Sequence, residues 1–141
     1  MTFGEDASLD LVVSLHRLLR SLRRAGPADR IQPTPLIVLA LLTEFGASRI
    51  GVIAERVPCS QPTATAAVAG LESAGLVCRE PDPTDGRATR VVITEAGTRT
   101  LTGVAHSEAE VLSRRLGSLP PEEMQQVLAV GRLLRKLAEA E

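Results

Sequence analysis

The 141-residue sequence predicts a mainly α fold with one small β-hairpin (α+β). Three observations carry that reading. Apolar residues recur at helical spacing along most of the chain. Two short apolar runs, Leu76–Arg79 and Val91–Ile93, are joined by Pro81-Asp82-Pro83-Thr84-Asp85-Gly86-Arg87. Prolines, glycines and serines punctuate the remainder at helix-length intervals.

The first helix is predicted over residues 8–24. Leu11, Leu15, Leu18 and Leu22 form one stripe, flanked by Val12 and Leu19. Asp6 or Ser8 is expected to cap its start, and Gly26-Pro27 to stop it. Residues 28–33 read as a polar connector. Thr34-Pro35 then reads as N-cap and first helical residue. Leu36, Val38, Leu39, Leu41 and Leu42 make the next helix short and largely buried, ending near Gly46. Ser48 is expected to cap a third helix that turns Ile50, Ile53, Ala54 and Val57 to one side, and Pro58-Cys59-Ser60 breaks it. Ser60 is a good N-cap for a fourth helix with Pro62 in its first turn. That helix runs to about Ala74 and meets a C′ glycine at Gly75.

The hairpin follows. Two prolines fix φ on either side of Asp82, and Asp85-Gly86 supplies turn chemistry. The tip projects one arginine, Arg87. Thr94 caps a long helix to about Leu116, with Leu101, Val104, Ala105, Val111 and Leu112 as its apolar positions. Gly117-Ser118-Leu119-Pro120 interrupts it. A last helix starts at Pro121 and carries Val127, Val130, Leu134 and Leu137. A helix pair followed by a hairpin with an arginine at its tip is the outline of a winged helix-turn-helix, and it points to double-stranded DNA.

Composition narrows the function. The net charge is −1, and between residues 49 and 97 five arginines face six carboxylates. Bulk positive charge supplies most non-specific affinity for duplex, so affinity here must come from placement. Lys136 is the only lysine; the arginines are suited to bidentate contacts. Phe3 and Phe45 are the only aromatics, which argues against single-strand binding by base stacking. No apolar run reaches the ~18 residues of a membrane span, and the Gly4-Glu5-Asp6 start lacks a signal-peptide layout. A cytoplasmic protein is expected. His16 and His106 belong to no metal-ligand set, and no cofactor is implied. Cys59 and Cys78 are too few for a disulfide framework, and Cys78 reads as a small buried hydrophobe. No phosphate loop, nucleophile–base set or carboxylate pair is present, so an enzyme is not expected.

The run Leu71-Glu72, Gly75-Leu76-Val77, Arg79, then Asp82-Pro83-Thr84-Asp85-Gly86-Arg87 and Val91 to Gly97 resembles the MarR family of bacterial transcriptional regulators. In layout the resemblance spans about residues 9–140, and it is motif-specific over about 60–97. It implies a single domain over 1–141, with a winged helix-turn-helix lobe at 34–97 and dimerisation helices at 6–27 and 98–141. It implies a homodimer on a pseudo-palindromic operator, usually a repressor. The wing arginine maps onto Arg87, which would enter the minor groove, and Asp85 would orient an arginine by a salt bridge. Arg90 lies beside them on the second strand.

On the fourth helix, Ala64, Ala67, Val68 and Leu71 should be buried. Gln61 is placed to read adenine, Thr65 or Ala66 to touch a thymine methyl, and Ser60 and Thr63 to hold a phosphate. The family commonly carries an arginine where Ala66 stands and polar groups near Ala69 and Gly70. Their loss implies greater dependence on the wing and on DNA shape. The family's small amphipathic effectors would be met by His16, Arg20 and Leu39. The other reading of the same bare helix is a winged-helix dimer that serves as a protein-interaction module with weak DNA readout. The terminal helices, with broad apolar stripes, most economically meet a second copy.

Overall fold

The computed structural model describes residues 3–26 and 31–140. Its elements are α1 (Phe3–Arg24), α2 (Pro33–Phe45), α3 (Ile50–Arg56), α4 (Gln61–Ser73), β1 (Val77–Pro81), β2 (Thr89–Ile93), α5 (Glu95–Leu116) and α6 (Pro121–Glu139). The strands pair antiparallel, with Val77 opposite Ile93 and Pro81 opposite Thr89. The mainly helical fold with one hairpin is the one the sequence predicts.

The chain divides into two compact units, Ala28–His106 and Met1–Pro27 with Ser107–Glu141. The first unit has an entirely aliphatic core. Val38, Leu39 and Leu42 of α2 meet Ile53 and Ala54 of α3, Ala64, Val68 and Leu71 of α4, Val77 of β1 and Val91 of β2. Among the described residues no polar or charged side chain is fully buried. Apolar burial is therefore the main force holding this lobe together.

Several local expectations are met. Ser60 Oγ accepts from Thr63 N at 3.2 Å, which caps α4. Gly75 follows α4 with φ +76°, the left-handed conformation of a C′ glycine. Thr94 Oγ1 accepts from Gly97 N at 3.1 Å and donates to Gly75 O at 2.7 Å, so one side chain caps α5 and tethers it to the end of α4. Gly97 itself is sterically required. A Cβ there would press into the Leu76 carbonyl oxygen and lie 2.7 Å from Ile93 Cγ1.

Other expectations are corrected. Helix α1 begins at Phe3, so Asp6 and Ser8 lie within it rather than capping it; Glu5 and Asp6 instead complement the dipole of its first turn. Pro27 and residues 28–30 of the expected stop and connector lie outside the described residues. Helix α2 begins at Pro33 with Gln32 at the N-cap, not at Thr34-Pro35. Both prolines fit because the N–H groups of a first turn have no intrahelical acceptor. Ser48 does not cap α3. Its backbone pairs with Val91 through bonds of 3.1 and 2.8 Å, and Arg49 takes the N-cap position. Cys78 is exposed, not buried. Strand alternation explains this: Val77 points into the core, so its neighbour must point out.

In the second unit Leu22, Val111 and Leu116 are buried. Arg23 Nε lies 3.6 Å from Glu108 Oε1, and Arg115 Nη1 donates to Ser21 Oγ at 2.8 Å. Helix α6 has no buried residue.

Candidate nucleic-acid interface

Helices α3 and α4 form the helix-turn-helix, and β1–β2 form the wing. The wing tip is built by two carboxylates. Asp82 Oδ1 accepts from Thr84 N at 2.8 Å, Thr84 Oγ1 at 2.6 Å and Asp85 N at 3.3 Å. An aspartate that bonds backbone two residues on is an Asx-turn, which mimics a backbone turn. Backbone bonds from Asp82 N to Ala88 O and from Ala88 N to Asp85 O close the loop at 2.9 and 3.0 Å.

At the tip, Asp85 Oδ1 accepts both from Arg87 N at 3.1 Å and from Arg87 Nε at 3.2 Å. One carboxylate thus fixes the backbone and the guanidinium of the same arginine. The Arg87 side chain nevertheless remains 94% exposed. The pair orients the arginine without covering it.

The other carboxyl oxygen of Asp82 reaches across the lobe. Arg49 Nε donates to Asp82 Oδ2 at 2.8 Å. The Arg49 guanidinium, helped by the Thr84 bonds, holds the Asp82 carboxyl well below the usual carboxylate range, and Asp82 in turn raises Arg49. Together with the Ser48–Val91 bridge, this ion pair locks the wing to the start of α3. Sequence reasoning missed Asp82 and Arg49 as site residues. Asp82-Pro83-Thr84 carries the Asx-turn signal, but nothing local points to a partner 33 residues away.

On α4, Gln61, Thr63, Thr65 and Ala66 are exposed, as are Ala69 and Gly70, while Ala64, Val68 and Leu71 are buried. Gln61, Thr63 and Thr65 bring this face its polar side chains, and Ser60 Oγ is bonded to Thr63 Oγ1 at 2.8 Å. Arg90 is tied to Glu80 across the strands, and Arg79 Nε lies 3.4 Å from Glu72. Arg56 stacks over the Phe45 ring, 3.9 Å from its centroid. Most arginine charge in the lobe is therefore locally neutralised, and Arg87 is the most outstretched of these groups. The structure brings Ser60, Gln61, Thr63, Thr65 and Ala66 together on α4 and places Asp85, Arg87 and Arg90 on the wing.

The residues expected to meet an effector are divided between the two units, Leu39 in one and His16 and Arg20 in the other. Leu39 is fully buried in the lobe core, because it shares the inward side of α2 with Leu42. His16 and Arg20 are exposed on α1. Among the described residues no group of His, Cys, Asp and Glu could hold a metal. No described helix is long and apolar enough to cross a membrane.

Comparison with known proteins gives a consistent result. The MarR family model matches residues 31–89. An HTH-type transcriptional regulator of Mycobacterium bovis is 30% identical over 130 residues, covering 92% of this chain and 91% of the relative. The HTH-type transcriptional repressor MdtR of Bacillus subtilis is 27% identical over 124 residues, covering 88% and 77%. Among solved structures, a transcriptional regulator protein described as putative, from Pseudomonas aeruginosa, superposes with a TM-score of 0.81 at 29% identity, covering 100% and 99%.

Proposed function

Because the chain belongs to the MarR family, a family of transcriptional regulators rather than enzymes, we propose that it is a cytoplasmic, homodimeric repressor. It binds a pseudo-palindromic duplex and is released by a small-molecule effector. The observation that carries the DNA reading is Arg87. It stands almost fully exposed at the wing tip, with its guanidinium aimed by Asp85. A narrow A·T minor groove concentrates negative potential and attracts such a group. Helix α4 would then lie in the major groove, with Gln61, Thr65 and Ala66 against base edges and Ser60 and Thr63 near phosphate. Arg90, paired with Glu80, would act as a strand brace beside the groove.

The dimer reading rests on unspent apolar surface. Leu9, Leu11, Val12, Val13 and Leu19 of α1 are exposed, as are Val127, Leu128, Val130, Leu133 and Leu137 of α6. Exposed apolar area on this scale marks an association surface. For the effector, Arg20 and His16 are accessible on α1, while Leu39 is buried in the lobe core.

The bare α4 face favours a second reading, a protein-interaction module with weak DNA readout. Fluorescence anisotropy on duplex from the upstream region of the gene, against scrambled duplex, separates the two. Preference for the native duplex that survives physiological salt supports the regulator. Equal, salt-labile binding to both supports the module.

A further inference from the structure

One cluster of side chains has no part in the DNA interface. Arg17, Arg20 and Arg24 of α1 recur at intervals of three and four residues and so share one helix side. With Leu18 and Ser21 of α1 and Arg115 of α5 they line a cleft of about 360 Å³. Arg115 Nη1 donates to Ser21 Oγ at 2.8 Å, which fixes that guanidinium in the cleft wall.

Among the described residues no carboxylate lines this cleft. Five arginines elsewhere are matched with acids, Arg49 with Asp82, Arg79 with Glu72, Arg87 with Asp85, Arg90 with Glu80 and Arg99 with Glu95, while Arg56, Arg114, Arg132 and Arg135 make no ion pair among the described residues. Even Arg23, beside Arg24, pairs with Glu108. Among the described residues none of the four cleft arginines makes an ion pair. A cation in the last turn of a helix offsets the macrodipole, and that accounts for Arg24 and Arg115. It does not account for Arg17 and Arg20, which lie further in. Like charges gathered on one cleft repel, and a multivalent anion relieves that repulsion. Among the described residues the lining has no aromatic ring and one aliphatic side chain, Leu18, so recognition would run through charge and guanidinium forks rather than stacking.

We propose that this α1–α5 cleft is a binding site for a small polyanion, a phosphate ester or polycarboxylate carrying two or more negative charges. The site stands apart from the DNA reading, since its residues lie outside the lobe, and its test needs no DNA.

The test is isothermal titration of the full chain with pyrophosphate and, separately, with citrate, at constant ionic strength set with sodium chloride. Saturable binding of either probe, one site per chain, is expected. Pyrophosphate alone would assign phosphate esters, and citrate alone polycarboxylates. Arg17→Gln and Arg20→Gln should each weaken binding by about tenfold or more, the loss of a hydrogen bond to a charged group. Arg99→Gln, outside the cleft, should leave it unchanged. If Arg20→Gln does not fold by circular dichroism, Arg17→Gln carries the test, since the Arg17 side chain makes no intramolecular hydrogen bond among those described. Absence of saturation by both probes into the millimolar range would overturn the proposal. So would binding that survives unchanged in the folded Arg17→Gln variant.

Discussion

Arg87 and Asp82 do different work in the same loop. Arg87 is exposed and fixed at its base by Asp85, so its removal should leave the fold intact and act on DNA alone. Arg87→Ala is expected to weaken duplex binding at least tenfold, and to reduce the slope of log affinity against log salt by about one contact's worth per wing. Anisotropy titrations at several salt concentrations measure both; an unchanged affinity would remove the arginine from the interface. Asp82 is the opposite case. It organises the tip through Thr84 and anchors it to Arg49. Its pKa is lowered in the fold, chiefly by the Arg49 bond and then by Thr84. A carboxylate so lowered contributes stability that is fully present above its unfolded value of about 3.9 and is lost as pH falls toward the folded one. Asp82→Asn should therefore be less stable than wild type at neutral pH, with the gap narrowing as pH falls below about 4. Urea melts across that range follow it, and a gap that widened on acidification would contradict the assignment. Asp85 and Arg87 were legible because the turn chemistry and the family motif both mark them. The Arg49 and Ser48 attachments were not, because they join residues far apart in sequence and leave no periodicity.

At the scale of elements, the joint between α4, the wing and α5 is the most constrained part of the lobe. Gly75, Leu76, Thr94 and Gly97 exchange backbone and hydroxyl bonds within one small volume. A methyl group at residue 97 has nowhere to go, since both the Leu76 carbonyl and Ile93 stand in its way. Gly97→Ala is expected to destabilise the protein by about 1–3 kcal/mol or more, the range for overpacking. Ser60→Ala removes an observed α4 cap and should cost about 1 kcal/mol. Denaturant midpoints for the two variants test the ordering, Gly97→Ala being the more damaging. The Thr94-Glu95-Ala96-Gly97 run was visible as a motif before its reason was: the glycine is kept by a close backbone approach, which only the packed structure displays. Helix ends were the least legible feature. Gln32 and Arg49 hold N-cap positions without a side-chain cap, so the sequence carried no capping residue to find there. Cys78 was misread because a five-residue strand gives little alternation from which to settle which side faces the core.

For the molecule as a whole, the contrast lies between a lobe that buries most of its large apolar residues and terminal helices that leave most of theirs exposed. The lobe closes ten residues into one aliphatic cluster. Helix α6 buries none of its own, leaving Leu128 at 57% and Leu137 at 67% exposure. Each such side chain gains roughly 1.5–3 kcal/mol on full burial, so several of them on two helices supply a strong drive for self-association. A two-fold partner would also solve the charge problem of the lobe. One slightly acidic lobe with a single outstretched arginine has little affinity for duplex, whereas two lobes held in fixed register bind as one, the second at high effective concentration. Dimerisation and DNA binding should therefore fail together. The double variant Leu128→Glu with Leu137→Glu is expected to sediment as a monomer at micromolar concentration, to keep the helical circular dichroism of wild type, and to lose operator affinity by about a hundredfold or more. If it sediments as a dimer, α6 is not the interface. If it is a folded monomer with undiminished affinity, one lobe suffices and the two-fold operator is the wrong picture of the target.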